Sequence, residues 1–346
     1  MDRANRNSSA VFWVRHVVRA MTAEGLDMPA LMRAAGIDPA VLDDPDGRVP
    51  SDKVSALWTL AVQRSGNPAI GLSAASKAGP GGFDLVGYAM MSVPDLRGVL
   101  ERICRYVRIV SDVADMEVVE TDGGVGVTLD LRVIALSVPW QRYAYDFMVL
   151  LTFCRWVLAR DLRPAWFEMA APAETDLFFH ERMFGCPIRP LSTRYALFFS
   201  PADAALSLPT ANSVLSQFHD SLVEEKMKRL GLSQIGVRVR DEIVRHLAEG
   251  EPRRPMIARL LGMSDRTLRR RLEDEGTSFG QLLDEARRDL AAHYVSRADL
   301  SLGEIAYLLG FNNQSSFFRA WKRWFDVPPR HFRTNLLKKC EIGIVR

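Results

Sequence analysis

Several arginines stand close together in the segment SDRTLRRRL, among them Arg266, Arg269 and Arg270. A guanidinium group holds several N–H donors in a rigid, planar fork. This fork matches the two acceptor atoms that guanine shows in the major groove of DNA, and it also matches the oxygens of a phosphate. The residue types therefore predict a surface for an anionic partner that accepts paired hydrogen bonds.

A second segment, NQSSFFRAWKRWF, has the same character. Arg319 lies 49 residues after Arg270, and Gln314 and Ser315 come shortly before it. A glutamine amide can pair with the two polar atoms on the edge of adenine. Other cations of this region suit phosphate contacts or solvated positions on the surface. They are Lys322, Arg323 and Arg330.

Nearly the same apolar hexapeptide precedes each segment, IARLLG at 257–262 and IAYLLG at 305–310. Its apolar positions predict a short helix, and the closing glycine predicts the end of that helix, because glycine adopts the left-handed conformation at low cost. Ser264 can then cap the next helix, and either Asn312 or Asn313 can do so in the second copy. A helix, a short turn and a capped basic helix form the pattern of a helix-turn-helix.

The basic helices also need a buried face, which Leu268 with Leu272 and Phe317 with Trp321 can supply at a spacing of one turn. Between the two copies, residues 278–300 predict one continuous helix. The residues on its apolar face are Leu282, Ala286, Leu290 and Tyr294. A rigid helix between the copies would let both basic helices enter successive major grooves, ~34 Å apart.

The basic residues of the chain are concentrated in this region. Residues 231–346 hold 21 Lys and Arg against 15 Asp and Glu, whereas residues 1–230 hold 24 against 27. A basic domain beside a nearly neutral one favours an anionic partner for the C-terminal part. The same surplus occurs in many other domains, so the charge supports the motifs and does not replace them.

The composition is that of an ordinary globular protein. Of the 346 residues, 48% are hydrophobic and 25% are charged, and no stretch approaches the ~18–20 apolar residues of a membrane span. Arg15, His16 and Arg19 interrupt the first apolar stretch, which argues against a signal peptide. We therefore expect a cytoplasmic protein without a membrane partner.

The C-terminal motifs resemble the DNA-binding domain of AraC/XylS-type transcription regulators over residues 236–336. The matching stretches are LGMSDRTLRRRL, EGTSF, IAYLLGF, SSFFRAWKRWF and PPRHFR. The resemblance implies that double-stranded DNA is bound in two adjacent major grooves and that RNA polymerase is a further partner. It also implies which residues lie where family members contact DNA. These are Arg266, Arg269, Arg270, Gln314, Ser315 and Arg319.

The first 210 residues have a different pattern, in which helices alternate with a few strands. Helical periodicity predicts helices over 11–35, 51–64, 92–112 and 142–162. Two β-rich runs around Asp-Gly-Gly predict a hairpin over 115–133, and further strands are predicted over 165–170 and 194–200. The predicted fold is an α+β domain with a small antiparallel sheet, followed by an all-α domain with two helix-turn-helix units joined by a helix.

The N-terminal part resembles the AraC-type subgroup that includes regulators of ornithine and arginine use and mycobacterial virulence regulators. The motifs are GGFDLVGYAMMSVPDLRGVL, the long helix after residue 142, and HERMFGCPIRPLSTRYALFFSPADAALSLP. The resemblance implies a region that binds a small-molecule effector and mediates oligomerisation, and it allows a homodimer. Aromatic residues suit the apolar wall of a pocket, although core packing accounts for any one of them. The pocket candidates are Tyr88, Trp140, Tyr143 and Tyr145.

Signals for catalysis or metal binding are weak. The sequence has no Walker loop, GxSxG or HExxH motif, and no strand clearly precedes the glycines of GPGGFDLVG. His180 and Cys186 could ligate a metal only with a distant partner, and the four scattered cysteines do not form a zinc cluster. We therefore expect no catalytic residues, no metal and no cofactor.

These motifs predict a sequence-specific transcription regulator, an activator, that responds to a small molecule. Two alternatives stay open: an architectural DNA-binding protein with weak sequence preference, and an enzyme fused to a DNA-binding module. The predicted segments are a disordered tail over 1–10, an effector-binding and oligomerisation domain over 11–210, a linker helix over 211–235, the DNA-binding domain over 236–336 and a tail over 337–346.

Overall fold

The computed structural model divides the chain into two compact units, Met1–Met227 and Lys228–Arg346. Within the described residues, no helix is long and apolar enough to cross a membrane. The residues that the structure describes are 7–76, 80–131, 138–172, 175–190, 193–230, 232, 234–296, 300–325, 327–329 and 332.

The first unit combines helices with two sheets. Its strands are β1 (Ser8–Ala10), β2 (Arg48–Pro50), β3 (Ala114–Thr121), β4 (Gly124–Leu131), β5 (Trp166–Met169), β6 (Ile188–Pro190) and β7 (Tyr195–Phe199). Its helices are α1 (Val11–Ala23), α2 (Met28–Ala34), α3 (Ser51–Ser65), α4 (Leu72–Ala75), α5 (Asp84–Met91), α6 (Leu96–Val110), α7 (Trp140–Leu158), α8 (Leu177–Phe184), α9 (Pro201–Ala204) and α10 (Ser213–Arg229). Short 3₁₀ turns cover Pro39–Asp43 and Pro80–Phe83.

The larger sheet has the strand order β3-β4-β7-β5-β6. Neighbouring strands are antiparallel except β5 and β6, which run parallel. The hairpin predicted over 115–133 is confirmed as β3 and β4, and the strands predicted over 165–170 and 194–200 are confirmed as β5 and β7. The sequence did not indicate β6, because this strand has only three residues and two of them are exposed. The predicted fold class, an α+β domain with a small sheet, is confirmed.

The core of the first unit lies where α6 and α7 pack with the sheet. The apolar side of α6, the helix predicted over 92–112, is buried, and this helix packs against β3. Of the 19 residues of α7, the helix predicted over 142–162, 14 are buried. The helix begins directly after Pro139 and ends at Ala159, whose φ of 50° is left-handed. It therefore begins and ends earlier than the predicted range 142–162.

The prediction of a disordered tail over 1–10 is wrong for Ser8–Ala10, and residues 1–6 lie outside the described part. These three residues form β1, which pairs antiparallel with β2. Ser8 donates from its backbone N–H to Oδ1 of Asp112 over 2.6 Å and from its hydroxyl to Oδ2 over 3.0 Å. Ser8 and Ser9 are fully buried. Partners about 40 and 100 residues away order this polar segment, and local sequence does not reveal them.

The predicted linker helix over 211–235 is two helices in the structure. The first, α10, ends at Arg229, and a new helix begins at Gln234. Ion pairs attach α10 to the first unit: Asp220 accepts from Arg102 over 2.7 Å, and Lys226 donates to Asp84 over 2.7 Å. The boundary between the compact units falls after Met227, so nearly all of α10 is part of the first unit.

All the regular elements of the second unit that the structure describes are helices, as predicted. The helices are α11 (Gln234–His246), α12 (Arg254–Leu260), α13 (Asp265–Asp274), α14 (Phe279–Ser296), α15 (Leu302–Leu308) and α16 (Gln314–Phe325), with a 3₁₀ turn at Leu247–Glu249. Two pairs, α12 with α13 and α15 with α16, have the helix-turn-helix order, and α14 lies between them in the chain. The predicted tail over 337–346 lies outside the described residues.

Candidate nucleic-acid interface

Local signals shape the first helix-turn-helix unit as the sequence predicts. Pro255 lies in the first turn of α12, where its missing N–H costs nothing. Gly262 follows the helix with a φ of 69°. The hydroxyl of Ser264 accepts a hydrogen bond from the N–H of Thr267 over 3.1 Å and so caps α13. These residues place α13 directly after a tight turn, which is where a reading helix begins.

The second helix-turn-helix, formed by α15 and α16, has the same kinds of helix cap and glycine turn. It differs in a capping box at its first helix and in a close backbone contact at its glycine. Ser301 and Glu304 form a reciprocal capping box at the start of α15. Gly310 has a φ of 66°, and a Cβ at this position would lie 2.8 Å from a backbone carbonyl oxygen of another segment. Asn313 caps α16 by accepting from the N–H of Ser316 over 2.8 Å, which decides between the two predicted cap residues.

In the second helix of each helix-turn-helix, α13 and α16, here called the reading helices, one face is buried. Leu268 and Leu272 of α13 and Phe317 and Trp321 of α16 are at most 1% exposed, as predicted. The indole N–H of Trp321 donates to the carbonyl of Val327 over 2.7 Å, so the polar atom of this ring is satisfied. The aromatic pair fills more volume than the leucine pair. The two units therefore have the same design with different core packing.

The six residues predicted to contact DNA are all exposed. Arg266 and Arg270 lie one turn apart on α13, and Arg319 occupies the corresponding place on α16. Gln314 and Ser315 lie in the first turn of α16. The structure thus brings Arg266 with Arg270, and Gln314 and Ser315 with Arg319, onto the solvent sides of two helices.

The remaining cations differ in their partners. Arg269 donates to Glu273 one turn later over 2.7 Å, so part of its hydrogen-bonding capacity is used on its own helix. Lys322 and Arg323 are exposed, and Arg323 pairs with Asp284 of α14. Arg330 lies outside the described residues.

The solvent faces of the two helices differ in charge at their C-terminal ends. With the 49-residue shift, Glu273 and Asp274 of α13 correspond to Lys322 and Arg323 of α16. The first helix therefore ends in carboxylates, and the second ends in cations. Carboxylates would repel a phosphate backbone, so the C-terminal turn of α13 is less suited to a DNA contact than that of α16, where Lys322 is exposed.

A carboxylate that the sequence analysis did not single out connects the first reading helix to α11. Glu275 follows α13 and accepts from the backbone N–H groups of Ile235 and Gly236 over 3.3 and 2.9 Å. These groups lie in the first turn of α11, where amides have no partner within the helix. Arg240 of α11 also donates to Asp289 of α14 over 2.6 Å. Both contacts fix α13 and α14 on the same helix.

Arg287 of α14 holds the second helix-turn-helix in place. Its guanidinium donates to the carbonyls of Leu309 and Gly310 over 2.8 and 2.7 Å and to Glu251 over 3.0 Å. It also lies 4.2 Å from the ring centroid of Phe311. The side chain is nearly buried. A signal was present in the sequence, because Arg287 interrupts an otherwise apolar side of α14.

The four aromatic pocket candidates of the first unit have separate surroundings. Tyr88 is 57% exposed. Trp140 packs on His180, Tyr143 stacks on Tyr195 at 3.9 Å, and Tyr145 shares a 2.6 Å hydrogen bond with Nδ1 of His16. None of the four lines the apolar cavity that the described residues form between α6, α7 and the β3–β4 hairpin.

That cavity has a volume of about 40 Å³, and it holds two charged residues of α7 that the sequence analysis did not single out. Arg142 is 1% exposed, and Asp146 follows it by one turn. The residues that line the cavity are Trp13, Phe83, Ile103, Val107, Val110, Ser111, Ala114, Met116, Leu129, Leu131, Arg142, Asp146, Phe147 and Leu150. Two charges one turn apart in a helix that is otherwise almost wholly apolar were the available signal.

His180 and Cys186, the residues considered for metal binding, are both buried. Nδ1 of His180 lies 2.7 Å from the carbonyl of Asp176, its own helix cap. Cys186 is buried, and burial raises the pKa of its thiol to about 12, which keeps the sulfur protonated near neutrality. In the part of the chain that the structure describes, no three His, Cys, Asp or Glu residues are grouped to hold a metal ion.

Two family models match the chain. The first, described as the arabinose-binding domain of AraC transcription regulator, matches residues 25–208, more than half of the sequence. The chain belongs to the AraC family of transcription regulators. The second, described as a helix-turn-helix domain, matches residues 257–335, the region of α12 to α16. This AraC-type protein is therefore a DNA-binding transcription regulator.

Individual relatives agree with the subgroup that the sequence motifs indicated. The regulator is 27% identical over 315 residues to the ornithine utilization regulator of Pseudomonas aeruginosa, which covers 89% of this chain and 91% of that protein. It is 36% identical over 88 residues to the HTH-type transcriptional activator FapR of Escherichia coli, or 25% of this chain and 31% of that one. The solved structure of the transcriptional regulator CdpR from Pseudomonas aeruginosa is 22% identical, with a TM-score of 0.45 and coverage of 89% and 96%.

Proposed function

We propose that this regulator recognises a DNA site that spans two adjacent major grooves, with α13 in one groove and α16 in the next. The observation that carries the proposal is the pair of capped helices, each buried on one face and basic on the other, on either side of one linking helix. That helix, α14, has 18 residues, which at ~1.5 Å per residue is about 27 Å long. This length is comparable with the ~34 Å between successive major grooves.

The exposed residues divide into two roles in this proposal. Arg270 and Arg319 lie at equivalent positions in the centres of the two solvent faces, so we assign them to base edges. Arg266, Gln314 and Ser315 lie in the first turns, the part of a reading helix that approaches the bases most closely. Among the other cations, we assign phosphate contacts to Arg269, Lys322, Arg323 and Arg330.

We assign the regulatory role to the first unit. A small molecule bound there changes how strongly the regulator binds its DNA site or how well the bound regulator acts on transcription. The regulator, as a homodimer, then activates transcription through RNA polymerase. Support comes from the ligand-binding description of the N-terminal family model. The name of the relative FapR as a transcriptional activator supports the sign of regulation.

The test of DNA reading is a selection of sites from random duplex DNA with the full-length protein, followed by anisotropy titration at two salt concentrations. A preference of ~10³-fold or more over a scrambled duplex, across two adjacent grooves, is expected. Equal, steeply salt-dependent binding to both duplexes would show that the arginines only contact phosphates, and this result would replace the proposal with an architectural role.

Single variants then separate base readers from phosphate contacts. Arg270→Ala and Arg319→Ala should each lose about 1–3 kcal/mol of binding to the selected site and relax the preference at one position. Lys322→Ala should weaken binding to all sequences alike. Arg64→Ala is the control, because Arg64 is an exposed cation of the first unit. Unchanged binding of both arginine variants would show that these side chains do not read bases.

Regulation is tested by transcription from a promoter that carries the selected site, with purified RNA polymerase. An increase in transcript with added regulator is expected, and a decrease would reverse the proposed sign. Sedimentation of the full-length protein, with and without the duplex, tests the proposed homodimer.

A further inference from the structure

The cavity of the first unit contains a buried cation with neutral partners. Nη1 of Arg142 donates to the carbonyl of Ser51 over 3.4 Å and to the hydroxyl of Ser55 over 3.0 Å, and Nη2 donates to the hydroxyl of Ser9 over 3.3 Å. These contacts tie α7 to α3 and β1. The third donor, Nε, is buried and has no hydrogen-bond partner among the described residues.

A carboxyl group on the same helix interacts with this cation without a hydrogen bond between them. Asp146 lies one turn away, and its Oδ1 is likewise buried without a hydrogen-bond partner. Among the described residues, no ion pair joins Arg142 and Asp146. Burial raises the pKa of Asp146 to about 7, against the opposing effect of Arg142. Near neutrality the carboxyl therefore carries a proton in much of the population and can donate it to an acceptor in the cavity.

A buried guanidinium without an anion is costly, since a charge in an apolar interior needs a charged or strongly hydrogen-bonding partner. An anion placed against Nε would supply that partner, and a protonated Asp146 would donate a second hydrogen bond. The remaining walls are almost wholly apolar, with Ser111 as a further polar side chain. The site therefore provides one positive charge, one further donor and an apolar surface.

We infer that the cavity binds a short-chain monocarboxylate, with its carboxylate against Arg142 and its alkyl part against the walls from α6, β3 and β4. This inference rests on the proposed response of the first unit to a small molecule, and it names the class of that molecule. The ligand differs in class from the sugar in the description of the N-terminal family model.

Size and charge exclude other classes of ligand. A cavity of about 40 Å³ holds roughly three water molecules and hence a carboxylate of roughly two to four carbons. A sugar brings many hydroxyl groups, and these apolar walls would leave most of them without partners. A phosphate or dicarboxylate would leave a second negative charge uncompensated beside a single arginine.

The test is calorimetric titration of the ligand-free, full-length protein with sodium propionate and with propionamide at matched ionic strength. The two probes have nearly the same shape, but only propionate carries a charge. Single-site binding of propionate at least about tenfold tighter than that of propionamide is expected, because charge-assisted hydrogen bonds are roughly twice as strong as neutral ones. Equal affinities, no binding of propionate at about 50 mM, or saturable binding of L-arabinose instead would each overturn the inference.

Two variants locate the site. Arg142→Lys keeps the charge but removes the planar fork and should weaken propionate binding at least about tenfold. Ala114→Leu fills the cavity from β3 without touching the arginine and should do the same. Arg155→Lys is the matched control on α7, because Arg155 donates to the carbonyls of Leu162 and Phe184 and does not line the cavity. Wild-type propionate affinity in Ala114→Leu would place binding elsewhere and overturn the inference.

The DNA selection described above uses the protein without propionate. Failure to bind propionate with intact site preference overturns the ligand class alone. Loss of site preference with intact propionate binding overturns the proposed function and leaves the cavity assignment standing.

Discussion

Replacing Arg287 by alanine tests how α14 positions the second reading helix. The substitution removes hydrogen bonds to the carbonyls of Leu309 and Gly310, an ion pair with Glu251 and the contact of the guanidinium with the ring of Phe311. Both carbonyls follow the end of α15, where helices leave acceptors without partners. We expect the turn between α15 and α16 to loosen while the first helix-turn-helix unit stays intact.

The magnitude follows from these contacts. Each hydrogen bond from a charged donor is worth about 1.5–3 kcal/mol, and a cation over an aromatic ring adds about 0.5–2 kcal/mol. The contacts share one side chain, so their energies do not add in full. We expect a loss of about 3–5 kcal/mol in the local unfolding free energy, the range found when one partner of a buried charged contact is removed.

Hydrogen exchange is the suitable assay, because a two-unit protein does not unfold in one step. Arg287→Ala should increase exchange of the amides of α15 and α16 by roughly two to four orders of magnitude, at about 1.4 kcal/mol for each tenfold. Amides of α13 should change little. Arg288→Ala is the matched control: Arg288 is the next residue on α14, it is only half-buried, and its guanidinium lies 5.9 Å from the ring of Phe325.

Unchanged protection of α15 and α16 in Arg287→Ala would refute the positioning role of this residue. Equal effects of Arg287→Ala and Arg288→Ala would refute it as well, because any loss of charge on α14 would then act alike. A loss of DNA affinity without a change in exchange would assign Arg287 to the DNA contact itself.

Three further predictions concern single side chains. Gly262→Ala should lower the unfolding free energy by about 1–2 kcal/mol, because this glycine is left-handed, and Gly310→Ala should lower it clearly more. Gly310 is left-handed too, but of the two positions only Gly262 has free space for a Cβ. Equal losses of unfolding free energy in urea denaturation would contradict the close approach at Gly310. Glu275→Ala should lower the unfolding free energy by about 1–2 kcal/mol because it uncaps α11, and Glu275→Gln should lower it less. Amide hydrogens of α13 should then exchange faster, and those of α16 should not. The raised pKa of Asp146, about 7 against 3.8, means that the folded protein retains a proton which the unfolded chain releases, so unfolding free energy falls as pH rises from 4 to 7. The unfolding free energy of Asp146→Asn relative to wild type should therefore rise by about 1–2 kcal/mol as pH goes from 5.5 to 8. A difference in denaturation midpoint that does not change with pH would show that the pKa of the carboxyl is not perturbed.

The elements with strong local signals were predicted from the sequence. The Ser264 cap and the turn at Gly262 act within one or two turns, and the structure has them as predicted. The β3–β4 hairpin was equally clear, since its turn is short and its strands are adjacent in the chain. Such interactions depend on neighbouring residues, and neighbours are visible in a sequence.

Weak local patterns led to the errors. The polar segment at Ser8 has no apolar periodicity, and Asp112 and Arg48, which hold it, are distant in the chain. The helix after residue 211 has a continuous helical pattern, and long-range contacts such as the ion pairs of Asp220 with Arg102 and of Lys226 with Asp84 show that it is part of the first unit. Long-range partners determined both outcomes.

The sequence by itself determined the two capped helix-turn-helix units, the linking helix, the exposed basic residues and the family. Repeated short-range spacing encodes each of these, so one chain is enough to read them. Tertiary structure alone decided that Arg142 and Asp146 share a cavity, that the four aromatic candidates do not, and that Arg287 and Glu275 hold the reading helices. These depend on side chains brought together from distant segments, and the burial that gives them their charge and hydrogen-bonding properties arises only when the chain folds.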